Sequence, residues 1–286
     1  MAVILGLLAS ITYGSADFLG GLFTRRAGVL TVVLVSQLMG TLLLLAALPF
    51  FLDERFSSSG VAWGAASGVA GAAGVTMLFR GLARGRMSIV APITGTVAAG
   101  IPVIVGLVSG ERPAPIALLG VGLALAAVAL VSASEHASSD KDAGDEEVAP
   151  RASGIPEALG AGTSFGLFFV LLDQAGDASG LWPLVGARAS SLTVIAVAAL
   201  VTRAALKPPP GTLGGISLAG FLDVAANLFY LLATRQGLLA LVAVLTSMYP
   251  ATTVLLARVM LKEKLSSTQL VGLGLAFAGV IAIAGG

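Results

Sequence analysis

The chain has 286 residues, of which 57% are hydrophobic and 11% charged, with a mean hydropathy of +0.99 and a net charge of +1. Soluble domains carry roughly a quarter charged residues, so this composition excludes an ordinary water-soluble domain and indicates a chain that lives in a lipid bilayer. With no cysteine and a single histidine, His136, set among acidic residues, neither a metal centre, a Ser-His site nor any cofactor is expected, and no basic patch interleaved with aromatics points to nucleic acid.

Apolar stretches bounded by charges or turn residues predict ten transmembrane helices. The first, 2–23, has no basic start and no small-residue cleavage site, and reads as a retained span, not a signal peptide. It carries Tyr13 and Asp17 one turn apart, on one face. The second, 29–52, contains Gln37. The third, 60–80, places Gly60, Gly64, Gly68 and Gly71 at helical spacing, which lets helix backbones approach closely in lipid. The fourth, 87–109, holds Thr94, Thr96, Pro92 and Pro102, and the fifth, 115–134, holds Gly120 and Gly122.

A composition break follows. Residues 134–154, SEHASSDKDAGDEEVAPRASG, have six acidic side chains against Lys141 and Arg151. Such a segment has too little apolar surface to offset its ordering entropy, so 134–153 is expected to be an acidic flexible linker between two halves, 1–133 and 154–286.

Beyond it come the sixth span, 154–173, with Phe165 and Phe169, and the seventh, 180–202, with Arg188 about eight residues in, or ~12 Å deep. In the eighth, 213–234, Asp223, Asn227 and Tyr230 follow an i, i+4, i+7 spacing and form one polar stripe. The ninth, 239–260, brings Thr246, Ser247, Tyr249 and Pro250, and the tenth, 267–285, Gly272, Gly274 and Gly279. Each of Pro92, Pro102 and Pro250 removes a backbone hydrogen bond and is expected to bend or break its helix.

The two halves repeat one another. GVGLALAAVALV at 120–131 returns as GLGLAFAGVIAI at 272–283, an offset of 152 residues. The same offset brings Tyr13-Gly14 onto Phe165-Gly166, Gly68 onto Gly220, Gly85 onto Gly237 and Glu111 onto Glu263. A duplicated unit with an odd number of spans must cross the bilayer in opposite directions in its two copies. That is the inverted-repeat plan of secondary transporters, with a substrate site near the midplane between halves. The expected fold is therefore an all-α integral membrane protein with ten transmembrane helices in two inverted five-helix repeats (5+5).

The segments GLARGRMSIVAPITGTVAAGIPVIVGLVSGERPAPIALLGVGLALAAVALV and ATRQGLLALVAVLTSMYPATTVLLARVMLKEKLSSTQLVGLGLAFAGVIAI resemble the tandem repeats of the EamA family, part of the drug/metabolite transporter superfamily. The likeness covers essentially the whole chain apart from the linker. It implies the inverted 5+5 arrangement, a role as exporter of amino acids, metabolites or toxic compounds, and both termini in the cytoplasm. In the first half Ala98 stands where the second has Pro250, and no basic tail follows the tenth span. The distribution of Lys and Arg points the other way on orientation: Arg25, Arg26, Arg84, Arg86, Lys141, Arg151, Arg203, Lys207, Lys262 and Lys264 lie on one side against Arg55, Arg112 and Arg235 on the other, and the bias remains without the linker's Lys141 and Arg151. By the positive-inside rule, that places both termini outside the cytoplasm.

A charge at the bilayer centre costs about 3 kcal/mol on insertion scales and normally faces a cavity or a partner, so intramembrane polar groups are the candidate site. The offset separates scaffold from site: Asp17 falls on Phe169, Arg188 on Ser36, Asp223 on Gly71 and Asn227 on Val75, so the glycines recur while the charges do not. The candidate substrate-binding residues are Tyr13, Asp17, Gln37, Arg188, Asp223, Asn227, Tyr230 and Tyr249. Arg188 offers a planar donor fork for a carboxylate or phosphate, or forms a structural ion pair with an aspartate. Asp17 or Asp223, desolvated, could take up a proton in one facing state and release it in the other; Asp17 could instead pair with Arg25 or Arg26. Phe165 and Phe169, with the tyrosines, offer apolar walls.

These residues suit a secondary transporter of a small amphipathic metabolite, such as an amino acid or drug-like compound, by alternating access with proton coupling. A flippase for a lipid-linked intermediate is the alternative and an intramembrane enzyme the outsider, since no clustered catalytic groups and no GxxxxGK[ST] phosphate loop occur. The expected partners are the small-molecule substrate, the bilayer and protons. The chain is expected in the plasma membrane of a prokaryotic-type cell, as a monomer or homodimer.

Overall fold

The structure, a computed structural model, describes residues 1–51, 56–84, 87–142, 154–176, 179–261 and 267–284. Among the described residues all regular structure is helical. The helices are α1 Ala2–Thr24, α2 Val29–Ala47, α3 Ser58–Arg84, α4 Met87–Val108, α5 Pro115–Asp142, α6 Ile155–Asp173, α7 Trp182–Thr202, α8 Leu213–Thr234, α9 Leu239–Thr246, α10 Tyr249–Leu261 and α11 Ser267–Ala284. A 3-10 turn, Leu48–Phe51, follows α2.

Three of the differences from the expected bounds have a local cause. The second span closes early, because Pro49 falls in the tight turn that ends it. Helix α5 runs on to Asp142, into the acidic stretch, since Ala, Glu, Asp and Lys are compatible with helix and no Gly or Pro intervenes before Gly144. The rest of the expected linker, 143–153, lies outside the described residues. The ninth span is two helices. Pro250 has no N–H to give to the Thr246 carbonyl and its ring crowds that oxygen, so α9 stops at Thr246, Ser247 and Met248 form a turn, and α10 starts afresh at Tyr249. Helix α4, which has Ala98 at the corresponding position, stays helical through Pro92 and Pro102.

The packing exchanges the two halves. Helix α1 packs on α8 as α6 packs on α3; α2 packs on α8 as α7 packs on α3; and α1 packs on α9 and α10 as α6 packs on α4. Helices α2 with α7 and α5 with α11 meet their own counterparts. This is the pattern of a pseudo-two-fold axis between the repeats, with α9 and α10 together in the place of α4.

The duplicated glycines sit where this packing is tightest. A Cβ on Gly68 would overlap the Ala187 carbonyl, and one on its counterpart Gly220 would overlap the Ser36 carbonyl. Gly64 abuts Pro183 and Gly186 abuts Val61 in the same way. Close approach of small residues is how helices associate where lipid removes the hydrophobic drive between them.

Outward faces are apolar. Ile4, Leu42, Val197, Leu200 and Ile281 are exposed, while Asn227, Arg188, Thr94 and Ser191 are buried inside the bundle. Among the described residues, six helices are long and apolar enough to cross a membrane by length and composition: α1, α2, α3, α6, α7 and α8. Their exposed apolar faces suit hydrocarbon, and their polar groups are enclosed by protein, as a spanning bundle requires.

Candidate functional site

A cavity of about 930 Å³, counting the space at its mouth, lies between the repeats and is lined from α1, α2, α3, α6, α7, α8 and α10. It gathers Tyr13, Asp17, Gln37, Arg188, Asp223, Asn227 and Tyr249, seven of the eight candidates drawn from sequence, although they are scattered over five helices.

Arg188 organises one wall. It enters α7 one turn beyond Leu184 and turns its guanidinium inward, where its side chain is 8% exposed. One terminal nitrogen donates to Gln37 Oε1 of α2, and the other forms an ion pair with Asp223 Oδ2 of α8. Gln37 Nε2 donates in turn to Ser191 Oγ at 2.9 Å. The guanidinium that could have met an anion is thus engaged by groups of the protein. Enclosing both charges is tolerated because each is paired and hydrogen-bonded. Asp223 keeps 35% of its side chain exposed, so the pair meets the cavity through the carboxylate.

Asp17 is different. It lines the cavity from α1 on the same face as Tyr13, and no hydrogen bond or ion pair reaches its carboxyl group among the described residues. Arg25 and Arg26 are exposed in the turn after α1, so the expected alternative pairing with them is not formed. Asp17 does lie within electrostatic range of Asp223, and Tyr13 and Tyr249 within range of Asp17. The hydroxyls of Tyr13 and Tyr249 are buried without a partner among the described residues.

The remaining wall is aromatic: Phe165, Phe168 and Phe169 of α6 and Phe79 of α3. Tyr13 meets Phe169 edge-on at 6.1 Å between centroids, and Phe168 meets Phe169 at 5.5 Å. Asn227 faces the cavity but spends its amide on the Asp223 carbonyl at 2.7 Å.

Tyr230 is the eighth candidate, and the structure does not bring it to the cavity. It is fully buried behind the cavity, its ring tilted against Phe169 at 4.6 Å between centroids and its hydroxyl donating to the Phe169 carbonyl at 3.0 Å. The i+7 spacing keeps it on the Asp223 face but carries it ~10.5 Å along the helix axis, past the end of the cavity. Sequence reasoning passed over Ser191, Ser36, Phe79 and Phe168. Ser191 was within reach of the same logic, because it follows Arg188 by three residues and so shares its face. The described residues contain no group of His, Cys, Asp and Glu that could hold a metal ion.

A search of the curated proteins finds no match. A solved structure described as "Crystal structure of protein" matches with a TM-score of 0.70 and 18% sequence identity, over 99% of this chain and 95% of its own, a likeness of fold alone. The sequence model of the EamA-like transporter family matches twice, at residues 1–133 and again at 152–285. Each match takes in one of the two packed halves whose exchange builds the cavity, and this integral membrane protein accordingly belongs to the EamA-like transporter family.

Proposed function

We propose that the chain is a secondary transporter of the drug/metabolite superfamily that moves a small amphipathic metabolite, such as an amino acid or drug-like compound, by alternating access. In this reading it crosses the plasma membrane of a prokaryotic-type cell ten times, with α9 and α10 together making one span and the two halves inverted as 5+5. It works as a monomer or homodimer without a cofactor and catalyses no reaction.

The observation that carries the reading is the cavity between repeats, whose scaffold is duplicated and whose charges are not. Two equivalent halves can exchange conformations and expose one site to either side, while unpaired chemistry at the centre gives that site its selectivity. Asp17 is the carboxyl group suited to carry a proton, since Asp223 already holds Arg188.

The test is transport in proteoliposomes against a solute panel, with and without a pH gradient. Gradient-driven accumulation of at least one solute is expected. Asp17→Asn should lose the gradient dependence yet still exchange labelled for unlabelled solute at saturating concentration. Absence of any translocated solute sinks the transporter reading, and undiminished gradient-driven accumulation in Asp17→Asn removes the proton role.

A further inference from the structure

The cavity holds one guanidinium and two carboxyl groups, and the pairing is lopsided. Arg188 is satisfied on both terminal nitrogens, by Asp223 and by Gln37, which leaves Asp17 as the group without a counter-charge. An anionic solute would have to displace Asp223 from Arg188. It would also bring a further negative group beside Asp17 and Asp223 in a site walled by Phe165, Phe168 and Phe169, whose apolar rings offer it no hydrogen-bond donor. A cation meets the opposite situation.

A second, independent feature points the same way. Tyr249 is 4% exposed, lines the cavity, and, like Tyr13 on the packed helix α1, has a hydroxyl without a partner among the described residues. Unpartnered buried hydroxyls cost free energy unless something arrives to bond them. Each phenolic oxygen accepts as well as donates, and an ammonium group brings three donors and no acceptor. One carboxylate and two phenolic oxygens match those three donors. The rings of Phe165 and Phe169 supply faces that attract a desolvated cation and cover an apolar body.

Resting on the transporter reading above, we propose that the solute carries a protonated amine and a net positive charge, with Asp17 as its counter-ion and the Tyr13 and Tyr249 hydroxyls as its remaining partners. Arg188 is then an internal counter-charge that holds Asp223 in place, and not the solute's anchor. This reverses the expectation of an anion-binding Arg188 that the sequence alone suggested.

The experiment compares probes that share a phenyl ring and differ in charge: phenethylamine, phenethyl alcohol, phenylalanine and phenylpropionate. Equilibrium binding to the full chain in nanodiscs is measured alongside counterflow in proteoliposomes. Phenethylamine is expected to bind more tightly than the other three. Asp17→Asn is expected to weaken it about tenfold or more, the loss of a hydrogen bond to a charged group, and Tyr249→Phe roughly fivefold. The probe comparison needs no variant, so it stands even if a substitution impairs folding. Phenylpropionate or phenylalanine binding as well as phenethylamine overturns the proposal, as does failure of phenethylamine to bind, or wild-type affinity for it in Asp17→Asn of unchanged thermal stability. Counterflow of an anion without amine binding would leave the transporter reading standing and remove the amine. Asp17-dependent amine binding with no counterflow of any probe would do the reverse.

Discussion

Glu111 accepts the backbone N–H of Leu239 at 2.7 Å through Oε1 and that of Ala240 at 3.0 Å through Oε2, so a carboxylate of the first repeat caps the first turn of α9 in the second. The reach is arranged locally. Gly110 takes a left-handed conformation with φ +95°, and the Glu111 amide closes back on the Gly106 carbonyl at 2.9 Å, which ends α4 and turns the side chain across. Gly106 leaves the room, since a Cβ there would overlap the carboxylate. Negative charge is favourable at a helix N-terminus, where backbone N–H groups lack partners.

Glu111→Ala removes both bonds at once and should cost about 1–2 kcal/mol, the range of a lost helix cap. Glu111→Gln, which keeps one acceptor, should cost less. Thermal unfolding of the purified protein in detergent reads the difference, and midpoints equal to wild type in both variants would show that the cap contributes nothing.

The Arg188–Asp223 pair predicts non-additivity. Arg188→Ala leaves Asp223 and Gln37 without their donor inside the bundle and should destabilise by about 3 kcal/mol, the lower end for a broken buried pair. Arg188→Ala combined with Asp223→Ala should be more stable than Arg188→Ala alone. A double-mutant cycle on unfolding free energy checks this, and strictly additive effects would mean that the two side chains do not stabilise one another.

The glycines divide into two kinds that substitution distinguishes. At Gly220 a new side chain meets the Ser36 backbone, so Gly220→Val should force α2 and α8 apart at about 1–3 kcal/mol and lower the yield of folded protein. At Gly122 a Cβ meets nothing within 4 Å, so Gly122→Ala should be neutral or stabilising by up to about 1 kcal/mol through helix propensity. Equal loss of yield in the two variants would contradict close packing as the reason for Gly220.

The acidic stretch after Asp142 should act only as a tether, because its composition offers too little apolar surface to build a packed element. Replacing residues 143–150 by a Gly/Ser segment of equal length should leave membrane abundance and transport near wild type. Lost transport at normal abundance would give the segment a role of its own.

The bilayer, the duplication and the family were legible in the chain, because each depends on quantities that survive without coordinates: mean hydropathy, an offset of 152 residues, and the recurrence of glycines. The same offset singled out Asp17, Arg188, Asp223 and Asn227, since a residue needed only to build the unit recurs in both copies. Which of these groups meet one another was decided by the fold. A span with one or two polar residues in an otherwise apolar surface shows which face turns inward, but not which residue of a neighbouring helix that face will meet. Only the packing of α2, α7 and α8 brought Gln37 and Asp223 to Arg188, across 151 and 35 residues of chain, and so left Asp17 alone. Depth was equally hidden. Tyr230 shares a face with Asp223, yet its distance along α8 puts it behind Phe169 and outside the cavity, because spacing records the angle around a helix and not what lies opposite each turn.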